Sequence, residues 1–173
     1  MAKVRVFVDT NIILEAFRAG CWSPICERYA IETVEKCVEE ALTGDLSQPR
    51  RIPVDRNALV SGLSGRHVVG KRELVDLVLA YPHCQALDDG ELHLLAWLHA
   101  NKLVPKALIL LSTADKAAIV AAERLGWIDS LTSLEHLART SGITPAQTGH
   151  LARHYREDWL GEIKMKIRLG ILP

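Results

Sequence analysis

Residues Ala107-Leu108-Ile109-Leu110-Leu111 form an unbroken apolar run that stops at Ser112-Thr113-Ala114-Asp115. A short run of that kind, bounded by polar residues, suits a strand covered on both faces, and such strands belong to parallel sheets wrapped by helices. A second run, Val4 to Val8, is interrupted only by Arg5 and ends the same way, at Asp9-Thr10-Asn11, before Ile12-Ile13-Leu14 and Ala16-Phe17. Strand, polar turn, helix is the reading at both places.

The rest of the chain fits around these two units. Ser23-Pro24 reads as a helix start, with Ser23 as cap. Arg28 to Ile31 reads as a short strand. From Glu32 or Thr33 a helix follows, because Val34, Cys37, Val38, Ala41 and Leu42 recur at helical spacing and Gly44 supplies a stop. Residues 45–58, with Pro49, Arg50, Arg51 and Pro53, are the most loop-like stretch of the first half. Helices are predicted over Ala58–Leu63, Glu73–Ala80 and Leu92–His99, the last entered through Asp88-Asp89-Gly90-Glu91. Another runs from Asp115 to about Leu125; Trp127 to Leu131 leads into a last short strand, and Ser133 to Leu137 into a further helix. Alternating strands and helices imply right-handed crossovers, so the fold class is α/β, a parallel sheet between helical layers. Residues 1–140 make the main domain. Residues 141–173, with Thr144-Pro145 as a cap and Asp158 to Leu169 as a helix, make a C-terminal helical extension packed on it.

Composition narrows the functional classes. Of 173 residues, 21 are Lys or Arg and 21 are Asp or Glu, giving a net charge of zero. That balance argues against a generic nucleic-acid coating protein while permitting a local basic strip beside an acidic site. The N-terminus holds neither a signal peptide nor a span, so a cytoplasmic location without membrane attachment is expected. Cys21, Cys26, Cys37 and Cys84 contain no Cys-x-x-Cys pair and read as reduced thiols; with His83 they also mismatch the usual zinc spacings. The histidines, His93 and His99 among them, form no zinc-protease motif and read as surface or capping residues. Trp22, Trp97, Trp127 and Trp159 read as core or interface anchors.

Acidic residues recur where strand or loop gives way to helix: Asp9, Asp115 and the Asp88-Asp89-Gly90-Glu91 group. In a parallel sheet all three reach one rim. Glu35 and Glu39 lie one helical turn apart beside the apolar stripe, with Glu40 on its other flank. Helix capping is the plain alternative for each acid, worth roughly 0.3 to 1 kcal/mol. Carboxylates that converge repel one another unless a divalent cation neutralises them, and hard oxygen ligands suit Mg²⁺ or Mn²⁺. An ion so held polarises a phosphate and acidifies a bound water, the chemistry of phosphodiester hydrolysis.

Val6-Phe7-Val8-Asp9-Thr10-Asn11-Ile12-Ile13-Leu14 resembles the opening strand and turn of PIN domains. Glu32 to Glu40 is similar to that family's second acidic element, Leu87-Asp88-Asp89-Gly90-Glu91 to the third, and Leu111-Ser112-Thr113-Ala114-Asp115-Lys116 to the fourth. The resemblance runs in order over roughly residues 4 to 137. It implies a three-layer fold with strand order 3-2-1-4-5, a pocket for Mg²⁺ or Mn²⁺, and cleavage of single-stranded RNA. Carried over residue by residue, Asp9, Glu35, Glu91 and Asp115 are the metal and catalytic acids, with Thr10, Asn11, Glu39, Asp88 and Thr113 in support. Two departures stand out: the second Glu is Glu35 or Glu39, and Ala114 replaces a polar or acidic residue. Arg18 and Lys116, each near one of these acids, are the candidates for nucleic-acid contact, whereas Arg50, Arg51, Arg66, His67, Lys71 and Arg72 read mainly as solvated surface. Family habit adds a toxin paired with an antitoxin, a stand-alone nuclease, and a homodimer as settings. A non-cutting RNA- or protein-binding module is the alternative from another class. A phosphotransferase of the haloacid-dehalogenase type fits poorly, because Asn11 stands where its second Asp belongs.

Overall fold

The computed structural model describes residues 2–43, 52–104 and 108–172. Gly44, Arg50, Arg51 and Ala107, to which the sequence assigns roles above, lie outside them. In chain order the elements are β1 (Arg5–Val8), α1 (Thr10–Arg18), α2 (Trp22–Arg28), β2 (Ala30–Val34), α3 (Glu35–Leu42), α4 (Arg56–Gly62), β3 (Gly65–His67), α5 (Lys71–Ala80), α6 (Asp89–Ala100), β4 (Ile109–Ser112), α7 (Lys116–Arg124), β5 (Leu131–Thr132), α8 (Leu134–Thr140), α9 (Pro145–Thr148) and α10 (Glu157–Arg168). The five strands form one parallel sheet in the order β3-β2-β1-β4-β5, flanked by helices. The expected α/β class and strand order are both present.

β1 is central because its residues can be buried on both faces: Val6 and Phe7 are fully buried, as are Ile31 and Leu111 on the neighbouring strands. Full burial of such side chains stabilises the fold by roughly 1.5 to 3 kcal/mol each. Pairing with β4 runs Arg5 to Ile109, Val6 to Leu110, Phe7 to Leu111 and Val8 to Ser112. That register aligns the carboxyl ends of the two strands, so the residues that follow them emerge together.

Several boundaries differ from the sequence reading. β2 begins at Ala30 and continues through Val34, and α3 begins only at Glu35. Glu32 and Thr33 belong to the strand because Glu32 pairs with Phe7 and Gly65, and the Thr33 hydroxyl donates to the Val8 carbonyl at 2.6 Å. α2 starts at Trp22 with Cys21, not Ser23, at its cap. The last strand is Leu131–Thr132, preceded by a 3-10 turn over Ile128–Ser130. The C-terminal segment joins the same core: Leu151, Leu160, Ile163 and Ile167 are buried, and α10 packs on α7 and α8.

One part-buried ion pair ties three strands together. Glu32 accepts from Arg5 Nε and Nη2 at 2.5 and 2.9 Å and lies 2.7 Å from His67 Nε2. The His67 ring stacks on Trp97 of α6 at 3.8 Å between centroids, and Trp97 also meets Phe7 at 5.3 Å. Gly65 leaves room for this network, since a Cβ there would sit 2.8 Å from Glu32 Oε2 and displace that carboxylate. Burial alone would raise the Glu32 pKa, but the hydrogen bonds and charges of Arg5 and His67 outweigh it and hold the group below its ordinary value. Its contribution to stability is therefore complete above the ordinary carboxyl range and is lost as pH falls through the lowered value. Acid titration of the folding equilibrium should show Glu32→Gln destabilised near neutral pH, with a gap to wild type that narrows as pH falls below 4.5, the ordinary value of the group; a gap constant with pH would contradict this role.

Candidate functional site

In an open parallel sheet the crevice lies where strand order reverses, outside the carboxyl ends of the strands. Here β2 lies on one side of β1 and β4 on the other, so that crevice opens between β1 and β4. Asp9 follows β1, and Thr113, Ala114 and Asp115 follow β4. Each Asp also caps the next helix: Asp9 Oδ1 accepts from the Ile12 amide at 2.8 Å, and Asp115 Oδ1 from the Ala118 amide at 2.9 Å. The plain capping role is thus real for both, yet it occupies one oxygen of each.

The other oxygen of Asp9 is the exceptional atom. Asp9 is 1% exposed, and its Oδ2 is buried with no well-formed hydrogen bond among the described residues, although the Thr113 hydroxyl lies close to the carboxylate; the Ser112 hydroxyl is likewise unpaired. A buried carboxylate oxygen left unsatisfied costs on the order of 1 to 3 kcal/mol or more. Burial pushes the Asp9 pKa up to about 6, with the Asp115 charge adding to the rise and the Thr113 hydroxyl and the Ile12 and Asn11 amides opposing it.

Glu91 enters from the first turn of α6 and is 6% exposed. Burial, then the charges of Asp115, Asp9 and Asp88, push its pKa up to about 8. Two acids from distant parts of the chain, Asp9 and Asp115, and Asp88 from the same turn therefore act on one carboxyl group. Asp88 caps α6 without a side-chain hydrogen bond to it and stays exposed.

Of the acids on α3, it is Glu40, rather than Glu35 or Glu39, that lies against the turn carrying Asp9. Glu35 is half-exposed and pairs with Arg66 at 2.8 Å, while Glu39 faces solvent 3.8 Å from Lys36. Glu40 instead accepts from the Thr10 hydroxyl at 2.6 Å, next to the turn that carries Asp9. It also lies against Gly90, where an added Cβ would meet Glu40 Oε2, Thr10 Oγ1 at 2.8 Å and Cys37 Sγ at 3.2 Å. Gly90 thus lets α6 approach α1 and α3 closely enough to deliver Glu91, and Cys37 Sγ donates to the Gly90 carbonyl at 3.4 Å. The signal for Glu40 was its position three residues after Cys37, on the flank of α3 that meets Gly90, but the Gly90 contact is invisible without the fold.

The supporting residues divide. Thr10 and Thr113 touch the cluster, and Asn11 contributes its backbone amide while its side chain is exposed. Arg18 is committed elsewhere: it pairs with buried Glu15 at 2.5 Å and donates to the His150 carbonyl at 2.7 Å. Glu15 in turn accepts from the Ala152 amide at 3.1 Å, so this pair docks the C-terminal segment on α1. Lys116 is exposed next to Asp115. Tyr155, from the C-terminal segment, is missed by the sequence reading; burial first, then the charges of Glu15 and Asp9, raise its pKa.

Among the described residues no group of three or more His, Cys, Asp or Glu side chains is arranged to hold a metal ion, and the four cysteines are free thiols. Mg²⁺, however, is commonly held by one or two carboxylates with water and substrate phosphate completing the shell. The unsatisfied oxygen of Asp9 beside Asp115 fits that mode. No helix among the described residues is long and apolar enough to cross a membrane. Comparisons with protein-family models, with curated proteins and with solved structures give no match.

The cluster makes a signed prediction. Asp9 and Glu91 bind protons more tightly in the folded protein than at their ordinary values of 3.8 and 4.5, so stability is highest when both are protonated and declines as pH rises through about 6 and about 8. Thermal unfolding without divalent ions should show this decline, and Glu91→Gln should remove much of it and stabilise the protein at alkaline pH by about 2 kcal/mol. A pH profile identical in wild type and variant would contradict the electrostatic coupling. Gly90→Ala should destabilise by about 1 to 3 kcal/mol through overpacking, measured by denaturant unfolding; a neutral result would show that α6 can retreat freely.

Proposed function

We propose that this chain is a PIN-type endoribonuclease that uses Mg²⁺ or Mn²⁺ to hydrolyse single-stranded RNA. The observation that carries the reading is the buried, unpartnered Asp9 Oδ2 in the crevice between β1 and β4, beside Asp115 and close enough to Glu91 for their charges to interact. Asp9 and Asp115 would hold the ion, with Glu91 and Glu40 as the surrounding acids. When bound, the ion would supply polarisation of a phosphate and a more acidic water.

The chain's own groups account for the rest. The Ile12 and Ala118 amides fix one oxygen of each aspartate, leaving the other for a ligand. The Thr10 hydroxyl fixes Glu40. Glu91, with its pKa near 8, is suited to take up and release a proton around neutral pH, as a general base for attacking water requires. As a toxin the protein would work in the cytoplasm against a protein antitoxin; as a stand-alone nuclease it would need only RNA, as a monomer or a homodimer.

A second reading, a module that binds RNA or protein without cutting, is favoured by the lack, among the described residues, of a ready-made three-ligand group and by buried Ala114 at the fourth acidic element. Cleavage assays separate the two. Purified protein with Mn²⁺ should cleave single-stranded RNA, and Asp9→Asn should reduce cleavage to background while circular dichroism and melting temperature show an intact fold. Absence of metal-dependent cleavage over a broad RNA panel would leave the binding module.

A further inference from the structure

The acidic crevice has a neighbour that the carboxylates do not explain. An open groove of about 540 Å³ runs between α7 and the 3-10 turn Pro82–Ala86, and Asp115 stands in its lining. Its walls are apolar, with Ala86 and Leu87 on one side and Ala117 and Val120 on the other. Such walls provide a flat surface for an apolar or aromatic face, and the volume falls within the usual range for small-molecule pockets.

The charged residues of the groove have one sign apart from Asp115. Lys116 and Arg124 line it, both exposed, and neither makes an ion pair or a side-chain hydrogen bond among the described residues. Most other exposed cations of the second half are engaged: Arg139 with Glu157, Arg153 with Glu162 and Arg168 with Asp129. On α7, Lys116, Val120 and Arg124 follow at intervals of four, so they form one stripe along the helix. Lys116 begins that stripe beside Asp115, and Arg124 ends it roughly 12 Å away along the helix axis. A single-stranded nucleic acid presents this pattern in reverse, with base faces for apolar contact and phosphates at intervals for cations. A peptide would have to carry acidic groups at matched spacing and would gain nothing from the adjoining Asp115.

We infer that the groove between α7 and the Pro82–Ala86 turn seats the nucleotides of the RNA strand next to the scissile phosphate, with a base against Val120 and Leu87 and backbone phosphates at Lys116 and Arg124. This rests on the nuclease reading for its direction, because Asp115 joins groove and crevice, but binding can be measured without cleavage.

The test uses fluorescence anisotropy of a short fluorescein-labelled oligouridylate, first with wild type in EDTA and then with variants of the full chain. Arg124→Gln and Lys116→Gln should each weaken binding several-fold and each lower the slope of log Kd against log salt by about one. Val120→Glu should weaken binding at least as strongly, since it places an acid among the phosphates. Arg72→Gln, an exposed cation on α5, is the control and should bind like wild type. Melting temperatures of all four should match wild type, which keeps a folding defect from passing as a binding defect. If Arg124→Gln and Val120→Glu bind with wild-type affinity and salt slope, the groove assignment is wrong, even if metal-dependent cleavage is present. If those variants lose binding while wild type never cleaves, the groove stands and the nuclease reading fails.

Discussion

Parallel pairing of β1 with β4 fixes everything that follows, because Val8 opposite Ser112 brings the residues after both strands to the same edge of the sheet. Asp9 and Asp115 are separated by most of the first two-thirds of the chain, and only this register makes them neighbours. The paired strands are locked in the interior: Val6, Phe7 and Leu111 have no solvent exposure, and β1 is covered on both faces of the sheet. The apolar core thereby sustains a polar edge that is unfavourable by itself. Asp9 is buried with an unsatisfied oxygen, and Glu91 is charged only against the field of three other acids. Nothing in stability alone calls for these groups, and that is the motive for the cation proposed at this edge.

Local interactions keep that edge in order. The caps of α1 and α7 orient the two aspartates, Thr10 orients Glu40, and Gly90 removes the Cβ that would hold α6 away. Behind them, Glu32 with Arg5 and His67 joins β1, β2 and β3, and Trp97 seals that face. On the outer side Glu15 and Arg18 anchor the C-terminal segment, which brings Tyr155 near Asp9. The cluster is therefore supported from the sheet, from the four helices α1, α3, α6 and α7, and from the C-terminal segment.

Much of this was legible in the chain itself. Both apolar runs and their terminal acids were visible as strands ending at helix starts, which gave the α/β class and located Asp9, Asp115 and Glu91. Other parts were not. β3 is only Gly65-Arg66-His67, with no apolar alternation; it is a strand because β2 offers it an edge, with Glu32 opposite Gly65. The start of α3 was misplaced because Val34 mimics the helical stripe while serving as the last residue of β2. Glu40 was passed over because choosing among Glu35, Glu39 and Glu40 requires knowing that Gly90 packs on one flank of α3, and Arg18 was misjudged because its partner Glu15 is buried and the His150 carbonyl lies far along the chain. Helical periodicity identifies a face, whereas the partner of that face is set by tertiary contacts.

The Asp9 oxygen that lacks a well-formed hydrogen bond is the proposed ligand for a divalent cation. An anomalous difference map from crystals soaked in Mn²⁺ tests it most directly. The account predicts a peak bonded to Asp9 and Asp115, with water in the remaining positions and Glu40 and Glu91 beside it. A map with no peak at that edge, or with Mn²⁺ only at surface acids elsewhere, would contradict it.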